Sequence, residues 1–266
     1  MKCGLLLLAA LAVAGDAPSP APATAGPRPG MIFAQTVRNG TTILPAAPDA
    51  KSRALIRGEN FFATGQTVTA PAGLALSLIL SNGDALYLPG GGRLTLDEFT
   101  QDPVFLTDRA RDYEPSRSTV RLSLAQGTLA VSGRKPVPTS TLLLTTPLAM
   151  LTFNSQSFVV RVEADSLTIT LFDGTADVTV PETKFHDTLL AGQTTTLARK
   201  DLQAVYPLKS AVITTADNDR LGVWLTAARN AESRVTFQGM GKNFTASQRL
   251  PMSFTQQMSA DDPRYR

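Results

Sequence analysis

A short run of alternating apolar and hydroxyl residues, a turn centred on glycine, then a second such run: this unit recurs along the chain and restricts its fold more than any other feature. It reads Leu76-Ser-Leu-Ile-Leu-Ser-Asn-Gly-Asp-Ala-Leu-Tyr-Leu88, Val120-Arg-Leu-Ser-Leu-Ala-Gln-Gly-Thr-Leu-Ala-Val131 and Leu167-Thr-Ile-Thr-Leu-Phe-Asp-Gly-Thr-Ala-Asp-Val-Thr-Val180, with a weaker copy at Leu189–Leu197. Asn-Gly, Gln-Gly, Asp-Gly and Ala-Gly each put a residue that tolerates positive φ between two period-two runs, which predicts β-hairpins. Many such units with few helical patterns between them predict an all-β domain, a stack of short hairpins forming a sandwich or a solenoid. Within a unit the faces separate: Leu167, Ile169 and Leu171 point one way, and Thr168, Thr170 and Phe172 the other.

The flanks differ in composition. Met1 and Lys2, an apolar run from Leu5 to Val13, and the small residues Ala12-Val13-Ala14 predict a signal peptide over residues 1–14. Cys3 is the sole cysteine and precedes the apolar run, so cleavage leaves a mature chain without thiols, suited to an oxidising compartment. Residues 15–30 are rich in proline and alanine and form an extended linker. The β domain then occupies residues 31–206, and residues 207–266 form a C-terminal extension. In it Thr214 and Asp217 offer capping groups, and Leu221, Trp224, Leu225 and Ala228 recur at helical spacing, predicting a helix over about Ala216–Ser233. Trp224, the sole tryptophan, serves there as an anchor on the β domain.

Between two groups of strands lies Asp97–Ser118, where Asp97, Glu98, Asp102, Asp108, Arg109, Arg111, Asp112, Glu114 and Arg117 crowd together. It is expected to be a solvated loop or short helix.

The order of these motifs resembles the FecR domain family. Gly58-Glu-Asn-Phe-Phe-Ala-Thr-Gly65 with Val68-Thr-Ala is similar to the family's opening segment, and Leu76–Pro89 with Gly92-Arg-Leu-Thr-Leu96 is similar to its first hairpin. Leu124–Val131, Thr145-Thr-Pro147, Leu171–Val178 and Leu189-Leu-Ala-Gly-Gln193 follow in the family's order, so the resemblance spans about Gly58 to Leu197. It departs at Asn154-Ser-Gln-Ser-Phe158, where the family carries Gly-Thr and this chain is expected to turn on Asn154. Ahead of the β domain a sigma regulator of this kind would carry a cytosolic anti-sigma segment and a membrane-spanning helix, and the sequence shows neither. The resemblance therefore implies the fold, and a protein-binding or envelope role without catalysis, rather than direct control of a sigma factor.

The residues themselves offer little chemistry. His186 is the sole histidine and has no nucleophile elbow to serve, and without further histidine or a mature cysteine a zinc site lacks its usual ligands. The acid pairs Asp97 with Glu98, Asp173 with Asp177, and Glu163 with Asp165 are the candidates for two-carboxylate hydrolysis, yet each sits at a turn or strand end. Gly90-Gly-Gly92-Arg joins strands and precedes no helix, so it cradles no phosphate. No catalytic, cofactor or metal residues are assigned. A formal net charge of +3 with scattered basic residues gives nucleic acid no concentrated patch, and the apolar run is too short to span a bilayer.

The leading expectation is a non-enzymatic exported protein, periplasmic or extracellular, that binds a protein or cell-envelope component through exposed strands or the Asp97–Ser118 segment, or acts in envelope signalling. A carbohydrate-binding or surface-structural module using the Thr-rich faces is the alternative, although Tyr87, Tyr113, Tyr206 and Trp224 lie far apart in sequence. A hydrolase using two carboxylates is the third.

Overall fold

The computed structural model describes residues 26–103, 113–202, 208–238 and 245–248. The expected signal peptide over residues 1–14, most of the expected linker, Asp108, Arg109, Arg111, Asp112, Tyr206 and the C-terminal residues 249–266 lie outside the described residues.

The first strands are β1 (Arg28–Pro29), β2 (Met31–Thr36), β3 (Thr42–Leu44), β4 (Arg53–Ala54), β5 (Asn60–Phe62), β6 (Gln66–Ala70), β7 (Leu76–Leu80), β8 (Ala85–Leu88) and β9 (Gly92–Gln101). The 15-residue β10 (Ser118–Ser132) follows. Behind it come β11 (Thr141–Thr145), β12 (Met150–Asn154), β13 (Ser157–Val162), β14 (Ser166–Leu171), β15 (Thr175–Val180), β16 (Phe185–Leu190), β17 (Gln193–Ala198) and β18 (Ser210–Val212). Helix α1 (Thr215–Glu232) and the hairpin β19 (Val235–Gln238) and β20 (Thr245–Gln248) end the described chain. The protein is all-β with one C-terminal helix.

Strands β1 to β18 form one continuous hydrogen-bonded system that forks at β10. The first half of β10 pairs with β9 on one side and, in parallel, with β11 on the other. Its second half pairs with β8 and β13. One arm thus runs β4-β3-β6-β9-β10-β11-β12-β15-β16. The other runs β5-β2-β7-β8-β10-β13-β14-β17-β18.

Alternation along each strand sends one set of side chains into a single core shared by both arms. Leu94, Leu122, Leu144, Leu151 and Val178 enter from the first arm, and Leu78, Leu86, Leu129, Val160 and Ile169 from the second. Phe153 of β12 stacks on Phe158 of β13, with centroids 3.6 Å apart, and so joins the arms next to the turn between them. The outer face of the second arm is also apolar at Phe33, Ile79, Ala130 and Val159. It is covered by Leu221, Leu225, Ala228 and Ala231 of α1 and by Val235 and Ala246 of the hairpin. Trp224 packs at the margin of this contact, as the helical spacing predicts.

The helix begins where its capping residues place it. Thr214 Oγ1 accepts the Asp217 N–H at 3.1 Å and donates to Asp217 Oδ2 at 2.8 Å, satisfying one of the free donors of the first turn.

Two local expectations are corrected. Gln126-Gly127 is not a hairpin turn, because β10 runs straight through it. Gly127 has φ +102°, and a Cβ there would stand 2.7 Å from the Gly91 oxygen and from Gly92 Cα. The glycine bends the strand as it passes from one arm to the other and lets β9 approach. Gly90–Gly92 is the matching element: Gly92 pairs with Gly127 beside a register shift.

Asp97–Ser118 is not wholly a solvated loop, since Asp97 and Glu98 belong to β9 and Glu114 is buried. The turn after β12 begins at Asn154, where β12 ends, without positive φ there: among non-glycine described residues only Thr139 and Lys184 have it, and a carboxylate from a neighbouring hairpin holds this turn.

Candidate functional site: a cleft, a free edge and a buried carboxylate cluster

The acid pairs singled out in the sequence are dispersed. Asp97 accepts from Ser123 Oγ at 2.6 Å, while Glu98 pairs with Arg121 at 3.4 Å. Asp165 pairs with Arg199 at 3.5 Å, and Glu163 accepts from Ser166 Oγ at 3.3 Å. Asp177 accepts from Thr188 Oγ1 at 2.8 Å on the exposed face, away from Asp173 in its turn. His186 is exposed on β16 with Thr179 Oγ1 3.3 Å from its Nδ1. Tyr113 lies under the Lys135 ammonium, 5.2 Å from the ring centroid, while Tyr87 and Trp224 pack against one buried cluster under α1.

The structure brings together a different pair of acids. Asn82 Nδ2 donates to Asp84 Oδ2 at 2.8 Å, to Glu114 Oε1 at 3.0 Å and to Ser118 Oγ at 3.1 Å, and all four residues are buried. Ser118 Oγ also donates to Glu114, and the Asp84 N–H returns to Asn82 Oδ1 at 3.1 Å, closing the Asn-Gly turn. Burial first, and the neighbouring Glu114 charge second, push the Asp84 carboxyl up to about 7; burial likewise raises Glu114. Arg134 partly offsets this at Asp84 and donates to Glu232 of α1 at 2.9 Å, which ties the cluster to the helix.

The adjoining cavity, lined by Asp84, Glu114, Arg134 and Ser140 among others, holds about 20 Å³. That is room for a water and not for a sugar ring. Sequence reasoning missed these residues because Asn82-Gly83-Asp84 reads as an ordinary turn, and Glu114 lay in a charged run. Its only signal was that this acid sits four residues before the hydroxyl-rich strand start Ser118-Thr119.

The larger concavity lies on the second arm. Its floor is Thr168, Thr170, Thr194 and Thr196 on β14 and β17, and its walls are Val159, Arg161, Asp217, Arg220 and Leu221, around a volume of about 280 Å³. The threonines pair across the strands, Thr168 with Thr196 at 3.1 Å and Thr170 with Thr194 at 2.9 Å.

The two arms end differently. On β16 the Thr188 N–H donates to Asp187 Oδ1 at 2.8 Å and the Leu190 N–H to Gln193 Oε1 at 2.9 Å, so side chains blunt that edge. On β18, which pairs only with β17 among the described residues, all three residues are exposed, and Val212 is 79% exposed. Ile213 N–H donates to the Gly192 oxygen at 2.9 Å. With Val212 opposite Gln193, the alternation of an antiparallel pair turns the Val212 N–H and C=O outward.

No family model matches the chain. No curated protein matches it either. Two crystal structures from Parabacteroides distasonis, each described as a "putative anti-sigma factor", overlay loosely on it. They are 11% and 12% identical, cover 68% of this chain and 98% of their own, and give TM-scores of 0.38 and 0.39. Among the described residues no helix is long and apolar enough to cross a membrane.

Proposed function

We propose that the chain is an exported, non-catalytic FecR-like β module that captures a protein partner of the cell envelope by strand addition and takes part in envelope signalling. The observation that carries this reading is the β18 edge: outward backbone groups at Val212, an exposed apolar side chain and, among the described residues, no side chain bonding that edge as Asp187 and Gln193 do on β16. An incoming strand gains main-chain hydrogen bonds there and a contact for its own apolar residue. Among the described residues the carboxylates brought close together face a cavity of about 20 Å³, room for a water, so this reading gives them a structural role. Export rests on the apolar run of residues 5–13 and its small-residue cleavage site.

The test is Val212→Pro. Proline removes an outward donor that β17 does not use, so the domain folds and the edge is blocked. A partner cross-linked to the wild-type chain in envelope fractions is lost by V212P and kept by V212T. Equal capture by V212P would exclude the edge as the binding surface. Mass spectrometry of the exported chain is expected to show that residues 1–14 have been removed.

A further inference from the structure

We infer that the cleft between the first turns of α1 and the threonine floor of the second arm is a binding site for an acidic saccharide, a sugar whose ring hydroxyls meet the threonines and whose carboxylate meets Arg161. This goes beyond the strand-addition reading and uses none of its residues.

The floor consists of side-chain hydroxyls alone. β14 is paired with β13 on one side and β17 on the other, so its backbone is spent on the ladder and offers a peptide nothing to bond. A hydroxyl group, which has one donor and two acceptor sites, complements such a surface. Thr194 Oγ1 also reaches the Ile169 oxygen at 3.1 Å, which uses its donor and leaves acceptor capacity facing the cleft. Sugar hydroxyls supply the matching donors.

Charge selects among sugars. Arg220 donates to Asp217 Oδ1 at 2.7 Å, and that pair cancels within the wall. Arg161 pairs with no carboxylate among the described residues and stands 5.9 Å from the centroid of Trp224. The lining therefore keeps one uncompensated guanidinium, whose planar donors suit a carboxylate. Val159 and Leu221, buried against each other, close the inner end of the cleft. About 280 Å³ is at the small end of ligand clefts, which limits the occupant to one or two sugar units.

Trp224 provides the readout, being the sole tryptophan and in contact range of Arg161. The full chain is titrated with digalacturonate, with the neutral digalactoside and with oligoglutamate, following tryptophan emission and, independently, heat by calorimetry. Saturable binding of digalacturonate alone is expected, weakened about tenfold or more by Arg161→Gln and clearly by Thr196→Val, which lies at the exposed rim and leaves the core untouched. Overturning results are no saturable binding of the uronide, equal binding by R161Q, equal binding of the neutral sugar, or tighter binding of oligoglutamate. Val212→Pro leaves this binding unchanged, so failure here and failure of strand addition are read separately.

Discussion

Asp173 holds a turn that is not its own: its Oδ1 accepts the Gln156 N–H at 2.6 Å, seventeen residues away in sequence. The same oxygen accepts from Ser155 Oγ at 2.8 Å and from the Ser157 N–H at 3.3 Å. The β12–β13 and β14–β15 turns are thereby fastened together, and Gly174 is what allows the approach. A Cβ at that glycine would lie 2.0 Å from the Asn154 oxygen.

Replacing Asp173 with alanine strands these donors in a partly buried turn. Asp173→Ala is expected to cost about 2–3 kcal/mol in urea unfolding, and Asp173→Asn, which keeps an acceptor, about 1 kcal/mol. Equal losses would show that charge and not acceptor geometry matters here.

The Asp84 cluster gives stability a defined pH dependence. The unfolded carboxyl releases its proton near 3.8 and the folded one near 7, so between those values the folded state holds more protons. Its contribution is fully present below pH 4 and is lost as pH rises to about 7. Glu114, also raised, acts with the same sign. Asp84→Asn is expected to match the wild type near pH 4 and to exceed it by about 2–4 kcal/mol at pH 8, as denaturation midpoints across that range will show. A constant difference at all pH values would contradict the linkage.

Gly133 touches the same carboxylate. A Cβ there would stand 2.0 Å from Asp84 Oδ1, so Gly133→Ala is expected to destabilise by about 1–3 kcal/mol. Adding Asp84→Ala relieves part of that loss, and a double-mutant thermal unfolding cycle measures the coupling.

Leu225 fixes α1 to the second arm beside Ala130 and Val159. Leu225→Ala is expected to cost about 2–4 kcal/mol and to loosen the helix locally. The emission of Trp224, one residue away, then shifts to the red before the sheet unfolds.

The hairpin units were legible where the turn needs only local chemistry. Asn82-Gly83 and Asp173-Gly174 join β7 to β8 and β14 to β15 as their sequences require, with φ of +99° and +66° at the glycines. The inward set Leu167, Ile169 and Leu171 is fully buried, as period two predicts. Gln126-Gly127 was misread because positive φ serves a bend as well as a turn, and the approach of Gly91 and Gly92 that settles it comes from another strand. The cleft was only half legible. Its threonine face follows from alternation, but Arg161 and Asp217 line one cleft only because a distant helix packs beside that face. Nothing local joins Asp84 to Glu114, since thirty residues and the strands β8 and β9 separate them.

The double membership of β10 bears on how the polypeptide is made. A chain delivered only as far as Gln101 has built β8 and β9 without the neighbour that both of them need, and each presents a row of unpaired amides. Neither arm can be closed until Ser132 has emerged, so the first hundred residues are a sticky intermediate while the chain is made. Safe biogenesis of this protein depends on keeping that half unfolded or shielded until one strand arrives to seal both edges.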